Sequence, residues 1–157
     1  MGRLRLALLL LALATEMQVA MSSNSSCPSS WLQYETICVL VSSEKMVWWK
    51  AWERCVQLNS HLAYIETEME SNILTGILVS LTVESVWIGL NDLEVAGSYV
   101  WADREPVTFT NYATGEPNRN ASGRHEHCVA ARRDNDYQWS DEYCFDEREF
   151  VCRTDLN

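Results

Sequence analysis

"VWWKAWERCVQL", residues 47 to 58, carries its apolar side chains at helical spacing. Val47, Trp48, Ala51, Trp52, Cys55 and Val56 fall along one face of a 3.6-residue helix. A little further on, Thr67 and Glu70 have the spacing of a capping box, which predicts a second helix with Met69, Ile73 and Ile77 on one side. Upstream, "WLQYETICVLV" (31–41) is rich in β-branched and aromatic residues and reads as strand. Downstream, "GILVSLTVESVWIGL" (76–90) is interrupted by Glu84 and reads as a helix end running into a strand. From Val86 onward the apolar runs shorten: "SVWIGL", "SYVWAD", "TFTNY", "HCVAAR" and "EFVCR", separated by Gly, Asn, Asp and Pro. Helices grouped together and strands grouped together predict an α+β domain built on antiparallel β-sheet. Trp48, Trp52, Trp87, Trp101 and Trp139 are expected in the core and Trp49 at the surface.

The chain of 157 residues suffices for one core and not comfortably for two. It is 47% hydrophobic with seven Trp, which excludes a disordered chain. A formal net charge of −10 excludes nucleic acid and an anionic membrane as partners, since both need a basic footprint. A cation, a neutral ligand or a basic partner suits it better. "MGRLRLALLLLALA" has two arginines before a short apolar run, the layout of a signal peptide within residues 1–20, with cleavage after Ala14 or after Ala20. That run falls short of the roughly 20 apolar residues a bilayer span needs, so no membrane insertion is expected. Secretion makes the six cysteines a disulfide framework, in a pairing that spacing alone leaves open. Two sequons, at Asn24 and at Asn120, fit a glycosylated extracellular protein, and the second marks its stretch as a surface loop.

That stretch, "GEPNRNASGRHEHC" (115–128), closes a long segment of little periodicity, and such segments in compact domains tend to be functional. Glu116, Asn118 and Glu126, with Ser140, Asp141 and Glu142 of "WSDEYC" (139–144), supply the oxygen donors that Ca²⁺ takes. A cis bond before Pro117 would turn Glu116 and Asn118 the same way. His125 and His127 flank Glu126 without a third nitrogen or sulfur ligand, and read as exposed loop residues rather than a zinc site. Asn91-Asp92 reads as a turn cap, and "DEREF" as a solvated turn with Arg148 and Glu149 exposed.

From Cys27 to Arg153 the chain resembles a secreted C-type lectin domain. The likeness is carried by "CPSSW" (27–31), "AWERC" (51–55), "HLAYIETEME" (61–70), "WIGL" (87–90), "EPN" (116–118), "WSDEYC" and the closing "FVC", in order and at these spacings. The resemblance implies a double-loop α+β carbohydrate-recognition domain over 27–153, two helices beside antiparallel sheets, with the long loop carrying the ligand site. It implies three disulfides: Cys27–Cys38, Cys55–Cys152 and Cys128–Cys144. It implies that Glu116, Asn118, Glu126 and Asp141 hold calcium, and that these residues with Ser140 bind a glycan of the mannose, N-acetylglucosamine or fucose type.

Two departures from the family pattern matter. Ser140 stands where an Asn usually gives one oxygen to the metal and an amide to the sugar; serine has two heavy atoms fewer and a shorter reach, so a weaker site is expected. At the auxiliary calcium site Asp92 matches, but Ala96, Arg119 and His127 stand where acids are expected, so one calcium is expected rather than two. With all cysteines paired, any oligomer is expected to be non-covalent. The leading expectation is a soluble recognition lectin of innate defence; the alternative is a lectin-like protein whose weakened sugar site has given way to a protein or other surface. An enzyme is not expected, because no nucleophile motif or HExxH accompanies Glu116 and Glu126.

Overall fold

The computed structural model describes residues 26–103, 106–121 and 123–156; the segment predicted as a signal peptide (1–20) and Asn24 lie outside them. Strand β1 (Leu32–Tyr34) turns into the long β2 (Ile37–Met46), and helix α1 (Trp48–Gln57) follows at once. A two-residue β3 (His61–Leu62) leads to α2 (Glu68–Leu81), then β4 (Ser85–Asn91) and the short β5 (Val100–Trp101). The small hairpin β6 (Asn120–Ala121) and β7 (Arg124–His125) lies in the long loop. Strand β8 (Cys128–Arg132), a 3-10 turn (Arg133–Asn135), β9 (Trp139–Glu142) and β10 (Arg148–Asp155) complete the described chain.

The main sheet runs β1-β2-β10-β4-β8-β9, with β3 added to β10 and β5 to β4. Its pairings are antiparallel except one: β4 and β10 run parallel, Val86 opposite Glu149 and Trp87 opposite Phe150. The predicted α+β domain built on antiparallel sheet is therefore observed, with this one parallel pair inside it. Parallel neighbours need a long crossover, and the whole long loop and the β8–β9 hairpin intervene between these two.

Strand alternation divides the core between the helices. Val86, Ile88 and Leu90 of β4 meet Leu74 and Leu78 of α2, while Trp87 faces Trp48, Ala51 and Cys55 of α1. This two-sided burial explains why "SVWIGL" is continuously apolar. Gly89 has no room for a side chain: a Cβ would stand 2.6 Å from the Leu62 carbonyl oxygen, where β3 crosses.

Thr67 caps α2 as predicted, its hydroxyl accepting the Glu70 N–H at 3.2 Å; Glu70 reaches back to the Glu66 N–H at 2.8 Å. The buried stripe of α2 is Ser71, Leu74 and Leu78, so the predicted Met69–Ile73–Ile77 face is a flank, and Met69 is exposed. On α1 the outward tryptophan is Trp52 (38% exposed). Trp49, expected outside, packs edge-on against Phe145 with ring centroids 4.7 Å apart. The predicted solvated turn also differs. Arg148 is half-buried over the Trp87 ring, bonded to Ser85 and Glu142, and buried Glu142 also binds Arg132.

The three disulfides are Cys27–Cys38, Cys55–Cys152 and Cys128–Cys144. The second joins α1 to β10 across a sequence separation of 97, worth about 4 to 5 kcal/mol on a chain-entropy model. No helix among the described residues is long and apolar enough to cross a membrane.

Trp139 ties the long loop to this frame. Its ring takes edge contacts from Trp101, Phe109 and Tyr112 at 5.7, 5.8 and 5.8 Å. Trp139→Ala is expected to cost about 3 to 5 kcal/mol in urea unfolding; a loss under about 1 kcal/mol would deny the ring this role.

Candidate functional site

The site begins where the loop meets β9. The Trp139 N–H donates to the Asn111 carbonyl at 2.8 Å, the Ala113 N–H to the Trp139 carbonyl at 2.9 Å, and the Glu116 N–H to the Ala113 carbonyl at 3.0 Å. These bonds carry the chain from the core to Glu116, and the Glu116–Pro117 bond is cis. Beyond it the Asn118 amide nitrogen Nδ2 lies 3.0 Å from both Glu116 carboxylate oxygens.

Asp141 is the anchor opposite. It is almost wholly buried, and its oxygens accept the Asn118 N–H at 2.8 Å, the Arg119 N–H, and the Tyr99 hydroxyl at 3.0 Å. Burial first, then the Asp141 charge, raises the Tyr99 pKa, so the phenol stays a donor. Burial and then the neighbouring Asp141 carboxyl push Glu116 up to about 7. Two carboxyls gathered this way disfavour each other's charge, and a cation between them would reverse that preference.

Glu116, Asn118 and Asp141 therefore converge. Glu126 is buried, and its N–H donates to the Arg119 carbonyl at 3.2 Å, which keeps its backbone beside the same turn. Ser140 is 2% exposed, and its hydroxyl accepts from Asn135 Nδ2 at 3.0 Å. On β9 it pairs with Ala130 while Asp141 pairs with Val129, so the two side chains leave opposite faces of the strand. Ser140 is thus turned toward Asn135 and Asp141 toward Tyr99. Tyr99 and Asn135 escaped the sequence reading. Tyr99 lies two residues before buried Trp101 in "SYVWAD", so period-2 alternation was the available signal; Asn135 had none.

The donor set suits calcium in kind, being carboxylate and amide oxygen. In number it is spare: no group of three His, Cys, Asp or Glu close enough to hold a metal occurs among the described residues. The second acidic position is engaged by the protein itself. Asp92 is 1% exposed; one oxygen lies 2.8 Å from His127 Nδ1, and the other accepts the Gly97 N–H. His127 is therefore half-buried and partnered rather than a free loop residue, whereas His125 is exposed beside it. The Arg119 guanidinium lies over Gly97, whose φ of +84° and lack of a side chain allow that approach. Asn120 is exposed on β6.

The sequence model of the family described as Lectin C-type domain matches residues 44–154. Among similar proteins, perlucin from Haliotis laevigata is 33% identical over 80% of this chain and 81% of its own length. The galactose-specific lectin nattectin from Thalassophryne nattereri is 27% identical over 92% and 91%. The low affinity immunoglobulin epsilon Fc receptor of Mus musculus is 33% identical over 75% of this chain, which spans about a third (34%) of that receptor. Among solved structures, the carbohydrate-recognition domain of the mouse scavenger receptor C-type lectin superposes with a TM-score of 0.77 at 30% identity, covering 84% of this chain and 100% of that one.

Asp141→Ala removes the acceptor of the 118 and 119 amides. Hydrogen bonds to charged groups contribute about 1.5 to 3 kcal/mol, so both amides should exchange with deuterium roughly 10 to 100 times faster. The core amide of Gly89 should not change. Unaltered exchange at 118 and 119 would mean that Asp141 does not hold the loop.

Proposed function

Because the chain belongs to the C-type lectin domain family, we propose that it is a secreted, non-catalytic, calcium-dependent lectin for glycans of the mannose, N-acetylglucosamine or fucose type, serving soluble recognition in innate defence. The observation that supports this reading best is the apposition of Glu116 and Asn118 with Asp141 behind them. On this reading Glu116, Asn118, Glu126 and Asp141 hold one calcium. The bound ion would accept two neighbouring sugar hydroxyls into its coordination shell. The protein side chains divide the remaining work. Asn118 Nδ2 donates to a sugar hydroxyl, a Glu116 oxygen accepts from one, and Asp141 fixes the turn through its backbone bonds. The mannose-type choice rests on the order Glu116-Pro117-Asn118; nattectin, as its name states, is galactose-specific, so the sugar class is a matter for direct measurement. A single site gains useful avidity by multivalency, here through non-covalent association because every described cysteine is paired.

The second reading is a lectin-like protein whose weakened site serves a protein or other surface. It is favoured by the Ser140 hydroxyl, which is bonded to Asn135 instead of facing the cluster. Passage over mannose-agarose with Ca²⁺ separates the two. Retention that EDTA abolishes, without retention on galactose-agarose, is expected for the lectin; flow-through on both columns supports the second reading.

Ser140→Asn is expected to tighten calcium and mannoside binding in calorimetry by roughly 10-fold or more, the effect of one added charge-assisted bond. Unchanged affinities would put residue 140 outside the site.

A further inference from the structure

The sequon Asn120-Ala121-Ser122 sits beside the candidate site rather than elsewhere on the surface. Asn120 is exposed, and its backbone N–H donates to Asn118 Oδ1 at 3.0 Å. The other amide atom of Asn118 bonds Glu116. Across the hairpin, Asn120 pairs with exposed His125, so the surrounding surface is open. Two residues of chain span at most about 7 Å. Anything attached to Asn120 is therefore rooted within one sugar-sized step of Asn118.

We infer that Asn120 carries an N-linked glycan that stands over the Glu116–Asn118 cluster and gates it by ligand size. This rests on the lectin reading above and adds a regulator to the same site. In the attachment, the Asn120 side-chain nitrogen bonds to C1 of an oligosaccharide carried on a lipid diphosphate. The C1–O bond to that carrier breaks, the diphosphate leaves with the electron pair, and the amide proton goes to a base. The product is a bulky, hydrated chain on a surface hairpin. Its excluded volume acts least on a free monosaccharide, which enters from any side. It acts most on a glycan fixed to a polymer or particle, whose approach brings a large body against the hairpin.

The test uses the full chain secreted from a glycosylating eukaryotic host. Peptide mass spectrometry reads occupancy at Asn120, and binding is measured to immobilised mannan and to free methyl mannoside. Wild type is compared with Ser122→Ala, which removes the sequon and keeps Asn120, and with wild type deglycosylated enzymatically in its native state. Asn24→Gln removes the other sequon as a control. The expected result is an occupied Asn120. Loss of its glycan should then tighten mannan binding about 10-fold or more while changing free-mannoside binding less than about 2-fold. An unmodified Asn120, equal mannan binding with and without the glycan, or an equal gain from Asn24→Gln would each overturn the gate. Absence of calcium-dependent mannose binding from every form would instead remove the lectin reading, and the gate with it.

Discussion

The seating of the long loop on Trp139 is the constraint on which the rest depends. An irregular segment of this length has little periodic burial of its own and must borrow order from the core. Here Phe109 and Tyr112 lay their rings against the Trp139 indole while Asn111 and Ala113 pair with its backbone. The loop thus continues the sheet at that point, and Glu116 follows three residues later. Asp141, two residues beyond Trp139 and on the same face, meets the returning chain. One tryptophan therefore relates the two halves of a site whose residues are more than twenty positions apart.

The electrostatics of the loop follow a single rule: each buried acid has a partner, and the partners differ. Asp141 is satisfied by two backbone N–H groups and a phenol. Asp92 takes His127, and Glu142 takes Arg132 and Arg148. Glu116 takes the Asn118 amide and backbone N–H beside the Asp141 carboxyl, and its pKa is pushed up to about 7. Arg132 and Arg148 bring positive charge to Glu142 and His127 pairs with Asp92, whereas the donors described at Glu116 and Asp141 are neutral amides and a phenol. That contrast favours a cation at Glu116 and Asp141 and gives Asp92 a different role.

Both helices and the strand-rich second half, β4 included, were legible because apolar spacing and short apolar runs record burial. The disulfide pairing was not, since spacing leaves it open; it came from resemblance, and the structure agrees with it. The parallel β4–β10 pairing escaped because no local signal encodes which distant strand becomes a neighbour. Trp49 and Trp52 were exchanged for the same reason. Both are near the apolar edge of α1, and Phe145, far along the chain, decides which is covered. Arg148 was taken for a loop charge and Glu142 for an oxygen donor to calcium, because a run of charges looks the same whether it faces water, holds a cation or closes a buried ion cluster. At the site, Glu116, Asn118 and Asp141 were named and do converge, while Asn135 entered through a tertiary contact alone and the alternation that marked Tyr99 gave no hint of its partner.

Ser140 shows where motif and geometry part. In sequence it adjoins Asp141, and the resemblance assigns both to one ligand set. On β9 adjacent residues leave opposite faces, so a side chain at 140 must be long enough to come round the strand edge if it is to join its neighbour. An asparagine has two more heavy atoms with which to do so; serine stops at Asn135, whose amide satisfies it within the fold. The substitution is therefore stable in its own right, because the buried hydroxyl is paired and leaves no unsatisfied group. A site can lose one arm in this way at no cost to folding. The strand that holds Asp141 is thus maintained by the core, independently of the sugar binding proposed for it.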